Sequence, residues 1–165
     1  MRKRLSSILF TATLVLLSIV TPSGVRLARG KTVGPPEVAW KDMTVKQKTA
    51  YMKAAVVPTM KPIFQAFDAK KFKKVTCETC HGKDGPDRKF KMPSNDIHPL
   101  PGTKEGFEAK LKTEPTWPKW AEFMSQKVEP AMGKLLDVPV FNPQKPEKGA
   151  FSCAACHKIE GAPAK

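Results

Sequence analysis

The chain has 165 residues, a formal charge of +14, 16 prolines, four cysteines and three histidines. Its hydrophobic content of 41% is below the average of about 45–50% for globular proteins, so we do not expect a large self-sufficient core. Chains with small cores often add disulfides, a metal or a prosthetic group. Two of the three histidines directly follow Cys-x-x-Cys, which leaves only His98 and excludes a multi-histidine metal centre.

The N-terminus has the pattern of an export signal. Residues 2–4 are basic, and residues 5–20 form an apolar run of 16 residues, which is short for a membrane-spanning helix of about 20. We therefore expect residues 1–30 to be a cleaved signal peptide, with an uncleaved membrane anchor as the alternative. Residues 31–165 would be exported to the periplasm with a formal charge of +9.

Helical patterns follow the predicted signal. Thr44 and Gln47 match a capping box, and the apolar spacing after them predicts a helix that Pro58 should kink or end. Pro62 suits the first turn of the next helix, and Pro118 suits the first turn of a later one.

The remaining segments predict one short helix and long loops. Thr103 is a suitable N-cap for a helix over 104–112. Residues 82–101 and 138–149 are rich in Pro, Asn, Asp and Gly, which predicts ordered loops. No segment shows a convincing strand alternation.

The cysteines occur only in two Cys-x-x-Cys-His motifs. The first motif is Cys77-Glu78-Thr79-Cys80-His81 and the second motif is Cys153-Ala154-Ala155-Cys156-His157. This spacing is the attachment signature of a c-type haem. Two thiols one helical turn apart can form thioethers with two vinyl groups, and the adjacent histidine can bind the iron. We therefore predict two covalently attached c-type haems, with His81 and His157 as proximal iron ligands.

Three other interpretations of the cysteines are weaker. A zinc site with four cysteines gives no reason for histidine at the fifth position of both motifs. Disulfides within Cys-x-x-Cys pairs would close very short loops and stabilise little. A thioredoxin-like redox site needs a βαβ context, of which the sequence has no sign.

An internal duplication surrounds the motifs. Residues 51–60 align without gaps on residues 123–132, and both segments read aromatic-Met-x-x-x-Val-x-Pro-x-Met at an offset of 72. The two Cys-x-x-Cys-His motifs are offset by 76. We therefore expect one compact all-α domain over 31–165 with extensive ordered loops. Two duplicated helix–loop–CxxCH haem units would cover about 44–101 and 116–165.

Methionine is the predicted distal ligand of the irons, because His98 can serve only one of them. Only eight residues follow His157, and none is Met or His, so the ligand of the second haem must come from upstream. The duplication predicts the same direction for the first haem.

Each repeat offers two methionines for this role. We favour Met60 and Met132, because a proline-interrupted helix can present a side chain to the iron. Met52 and Met124 are the alternates. The less favoured ligands of the first haem have no counterpart in the second repeat and are Met92 and His98.

This arrangement resembles that of small dihaem c-type cytochromes of the bacterial periplasm, from about Trp40 to the C-terminus. A methionine on a helix ahead of each attachment motif is also similar to the tetrahaem cytochrome subunit of photosynthetic reaction centres. Class I monohaem cytochromes instead place the ligand methionine downstream of the motif. The resemblance implies electron transfer by haems with His/Met ligation.

The predicted function is therefore electron transfer rather than catalysis. We expect redox proteins as partners, with an acidic docking face that meets the basic surface of this chain. An exported chain has no nucleic acid to bind. Two alternatives need one open haem: a peroxidase-like enzyme, and a sensor in which a diatomic gas displaces a weak methionine ligand.

Overall fold

The computed structural model describes residues 35–161, which are predominantly helical. They belong to one compact unit, residues 31–165. The predicted signal segment, 1–30, lies outside the described residues. Among the residues described, no helix has both the length and the apolar character needed to cross a membrane.

The first helical run extends from Val45 to Phe67. A short 3-10 helix, Trp40–Asp42, precedes α1, Val45–Tyr51. The predicted capping box is confirmed, since the amide of Gln47 donates to Thr44 Oγ1 at 3.3 Å and the amide of Thr44 donates to Gln47 Oε1 at 2.8 Å.

The run then passes through a π-helical segment, Met52–Val56, and continues as α2, Val57–Phe67. The prediction that Pro58 ends or kinks the helix is wrong in its first part, because Pro58 lies in the first turn of α2 and the run continues through it. The wider π turn in front of the proline relieves the usual loss of an i→i−4 hydrogen bond. Pro62 lies inside α2 rather than at the start of a new helix.

The second helical run, Trp117–Leu136, repeats this pattern. It consists of α5, Trp117–Phe123, a π-helical segment, Met124–Val128, and α6, Glu129–Leu136. Each of these elements begins 72 residues after its counterpart in the first run, and Pro130, like Pro58, is the second residue after the π-helical segment. The helical part of the sequence duplication is therefore also a repeat of local structure.

The two helical runs share one hydrophobic core. The rings of Phe67 and Phe123 stack with their centroids 4.1 Å apart, and the hydroxyl of Tyr51 donates to the carbonyl of Leu135 at 2.6 Å. Phe72 and Val75 add the segment that leads into the first motif. The buried members of this core are Ala55, Val56, Met60, Phe64, Phe72, Val75, Phe123 and Leu135.

Three shorter helical elements and two strands complete the fold. α3, Cys77–His81, is the first motif, and α4, Lys104–Thr113, begins at the predicted cap, where the amide of Gly106 donates to Thr103 Oγ1 at 3.1 Å. The second motif contains a 3-10 helix, Cys153–Ala155.

The chain also contains strands that the sequence analysis did not predict. β1, Leu100–Pro101, pairs in parallel with β2, Ile159–Glu160. Each strand has only two residues, which is too short for an alternating pattern to be visible in the sequence. The pairing joins the end of the loop after the first motif to the residues just after the second motif.

Candidate functional site

The first motif is an α-helical turn with defined ends. The hydroxyl of Thr79 accepts a hydrogen bond from the amide of Thr76 at 3.0 Å, next to the start of the helix. The helix ends at Gly82, whose φ is +78° and whose amide donates to the carbonyl of Glu78 at 2.9 Å. This turn places Cys77 and Cys80 on one side of the helix, with His81 directly after them.

Arg88 organises the loop that follows the first motif. Its Nε donates to the carboxylate of Asp84 at 2.6 Å. Its Nη1 donates to the carbonyl of Lys91 at 2.7 Å, and its Nη2 donates to the carbonyl of His81 at 2.8 Å. One guanidinium therefore ties the loop to the backbone of the predicted iron ligand. The hydrogen bond from Arg88 also holds the pKa of Asp84 below its usual range.

The second motif is a looser turn that depends on distant residues. Its 3-10 helix is followed by a hydrogen bond from the amide of His157 to the carbonyl of Cys153, at 2.9 Å. The Nδ1 of His157 donates to the carbonyl of His98 at 2.7 Å. This bond fixes the orientation of the imidazole and leaves Nε2 as the nitrogen available to a metal.

Ser94 joins the two motifs and is fully buried. Its hydroxyl donates to the carbonyl of His81 at 3.0 Å, and its amide donates to the carbonyl of Cys156 at 3.3 Å. The Arg88 guanidinium also donates to the Ser94 hydroxyl, at 3.1 Å. The loop between the motifs therefore bridges the two predicted haem sites through one residue.

The four cysteines are free thiols. Burial raises the pKa of Cys80 to about 11, with a smaller contribution from Cys77. Burial raises the pKa of Cys156 to about 12, and the next contribution comes from Cys80. Burial therefore keeps both thiols protonated at neutral pH.

The repeated methionines lie in the hydrophobic core between the two helical runs. Met60 is buried, and Met52, Met124 and Met132 are half-buried against the same cluster. The helical runs continue through Pro58 and Pro130, which lie in the first turns of α2 and α6. Which methionine binds each iron therefore stays a prediction.

His98 lies at the second motif rather than beside the first. Its backbone carbonyl holds His157, while its Nε2 accepts a hydrogen bond from Lys110 Nζ at 2.7 Å. Lys110 in turn pairs with Glu114 at 3.1 Å. Met92 is half-buried in the loop after the first motif.

Sequence reasoning missed three groups that hold this site together: Ser94, Arg88 and the carbonyl of His98. The spacing of Asp84 and Arg88 permits an i,i+4 ion pair, so it offered a partial signal for Arg88. Nothing in the sequence distinguishes Ser94, because its role depends on a contact with Cys156 far along the chain.

Within residues 35–161, no group of three or more His, Cys, Asp or Glu side chains is arranged to hold a metal ion.

In comparisons with known proteins, no family model, curated protein or solved structure matches this chain.

Proposed function

We propose that this protein is a periplasmic electron-transfer protein that carries two covalently attached c-type haems, one on each motif. The observation that carries the proposal is the pair of thiol–thiol–histidine turns brought side by side by Ser94. One such turn has several uses in proteins, but two adjacent copies suit two attached porphyrins.

The residues of both motifs fit a haem. In the first motif, Cys77 and Cys80 lie one helical turn apart, and His81 has a buried Nδ1 without a hydrogen-bond partner. In the second motif, the bond from His157 to the carbonyl of His98 is the kind of outer contact that orients a ligating imidazole. A bound haem would supply the one-electron redox chemistry of its iron.

For the distal ligands we propose Met60 in the first haem unit and Met132 in the second. Met52 and Met124 are the alternates. All four belong to the core that both helical runs share, so the porphyrins would contribute apolar surface to a chain with modest apolar content. The duplicated haem units would consist of one helical run and one motif each.

The proposed partners are redox proteins with an acidic docking face. The exported part of the chain carries a formal charge of +9, and complementary charge raises the rate of encounter between partners. Such an association weakens as salt screens the charges.

Haem content tests the proposal most simply. The chain is produced with its N-terminal segment in a bacterial host that matures c-type cytochromes, and haem is measured as the pyridine haemochrome after acid–acetone extraction. We expect two haems that resist extraction. The variant Cys77→Ser/Cys80→Ser and the matched variant Cys153→Ser/Cys156→Ser should each retain one. Haem that is absent, or that is fully extracted, would overturn the proposal.

The distal ligands are tested by the spectra of the variants Met60→Ala and Met132→Ala. Each should lose the far-red iron–sulfur band of one ferric haem and convert that haem to a high-spin state. If both variants keep two low-spin haems, Met52→Ala and Met124→Ala should show the loss instead. Four unchanged spectra would exclude ligation by these methionines.

A further inference from the structure

The two proposed iron ligands have different surroundings. The Nδ1 of His157 donates to the carbonyl of His98 at 2.7 Å, and such a bond makes the imidazole a stronger donor to the metal. The Nδ1 of His81 is buried and has no hydrogen-bond partner. A stronger donor stabilises ferric iron, so this difference favours oxidation at the second motif.

A fixed positive group bonds directly to the backbone of the histidine in the first motif, whereas Lys110, near the second motif, bonds to the side chain of His98. The Nη2 of Arg88 donates to the carbonyl of His81, while Asp84 accepts from the same guanidinium at Nε. The pair is neutral overall, but its positive end contacts the backbone of the histidine. A nearby positive end stabilises the extra electron of ferrous iron.

The wider charge distribution points in the same direction. The 24 residues 68–91 around the first motif carry eight basic and four acidic side chains. The 24 residues 138–161 around the second motif carry three basic and two acidic side chains. The first motif therefore lies in the more positive part of the chain.

Building on the proposed function, we propose that the two haem sites have unequal reduction potentials, that the first motif holds the site of higher potential, and that Arg88 and the bond from His157 to the carbonyl of His98 set this order. Arg88 favours the reduced state at the first motif. The bond between His157 and the carbonyl of His98 favours the oxidised state at the second motif. The first electron that the protein accepts therefore resides at the first motif.

The test is a spectroscopic redox titration of the protein with both haems attached, with dithionite as reductant and ferricyanide as oxidant. The variants Cys153→Ser/Cys156→Ser and Cys77→Ser/Cys80→Ser each keep one site and assign the two one-electron steps. We expect the step of the first motif at the higher potential. Equal potentials or the reverse order would overturn the inference.

A single charge change then tests Arg88. Arg88→Gln should decrease the reduced-to-oxidised ratio of the first site by up to about tenfold at fixed potential, which is about 59 mV for one electron. Lys89→Gln makes the same charge change at an exposed position in the same loop and should have a smaller effect.

The variant Arg88→Lys keeps the charge and is the control for an effect that comes from loss of the loop structure rather than from loss of the charge. It should keep the potential closer to that of the parent protein than Arg88→Gln does. If Arg88→Gln has no more effect than Lys89→Gln, the assignment to Arg88 is wrong. Absence of attached haem would already appear in the haemochrome assay, so failure of the proposed function is distinguishable from failure of the potential order.

Discussion

The two Cys-x-x-Cys-His motifs have the same spacing but are held in different ways. The first is an α-helical turn whose side-chain contacts come from nearby residues, Arg88 and Ser94, at most 13 positions from His81. The second contains a 3-10 turn, and its histidine is held by His98, 59 positions away. One motif is therefore built mostly by local contacts and the other by the folded chain. The loop between them supports both.

The largest expected difference in stability between the two motifs comes from substitutions of the residue that follows each histidine. Gly82 has a φ of +78°, and a Cβ at this position would lie 2.6 Å from Cβ of Asp96. Gly82→Ala should therefore lower the free energy of unfolding by at least about 1–3 kcal/mol, the usual cost of such backbone strain.

The matched control is Lys158→Ala, at the same position after the second motif, where the side chain is exposed. It should change stability by less than about 0.5 kcal/mol. Denaturant unfolding of the haem-loaded protein, followed by circular dichroism, measures both variants. Similar losses in the two would contradict the difference between the motifs.

The next largest effect on stability is expected at Ser94, which bridges the two motifs. Ser94→Ala removes the hydroxyl that donates to the carbonyl of His81 and accepts from Arg88, inside a fully buried environment. We expect a loss of about 1–3 kcal/mol in the free energy of unfolding, because three polar partners lose a hydrogen bond: the carbonyl of His81, the guanidinium of Arg88 and the amide of Asp96. Ser125→Ala is the control, since Ser125 is exposed and its hydroxyl donates only to the nearby carbonyl of Glu122. An equal effect of the two substitutions would contradict the bridging role.

Acid should loosen the loop that follows the first motif. The hydrogen bond from Arg88 lowers the pKa of Asp84, so the ionised carboxylate favours the folded loop. This contribution is fully present above the unfolded value of about 3.9 and is lost as the pH falls through the lower folded value.

Amide hydrogen exchange at residues 82–94, followed from pH 6 down to pH 3, measures this loosening. Asp84→Asn should remove the pH-dependent part of the protection, whereas Asp87→Asn, an exposed carboxylate in the same loop, should retain it. The same pH dependence in both variants would show that Asp84 is not responsible.

Much of the helical structure could be predicted from the sequence. The capping box of Thr44, the cap at Thr103 and the start of α5 near Pro118 follow from local chemistry and are confirmed. The path through Pro58 could not be predicted, because a π turn has no clear sequence signal and absorbs the effect of the proline.

The candidate site, like the fold, could be predicted from the sequence only in part. The cysteines and histidines of both motifs are visible in the sequence because their chemistry requires a fixed spacing. The contacts of Ser94 with Cys156 and of His98 with His157 join residues 59 or more positions apart, so they appear only in the folded chain. The two-residue strands β1 and β2, which hold the same two segments together, were missed for the same reason.

The most direct test of the central claim is the mass of the intact purified chain after acid denaturation. Two covalent haems predict the mass of the processed chain plus two haems, with fragmentation locating one haem on the peptide of the first motif and one on that of the second. A chain mass without haem, or with a haem on only one motif, would contradict the account.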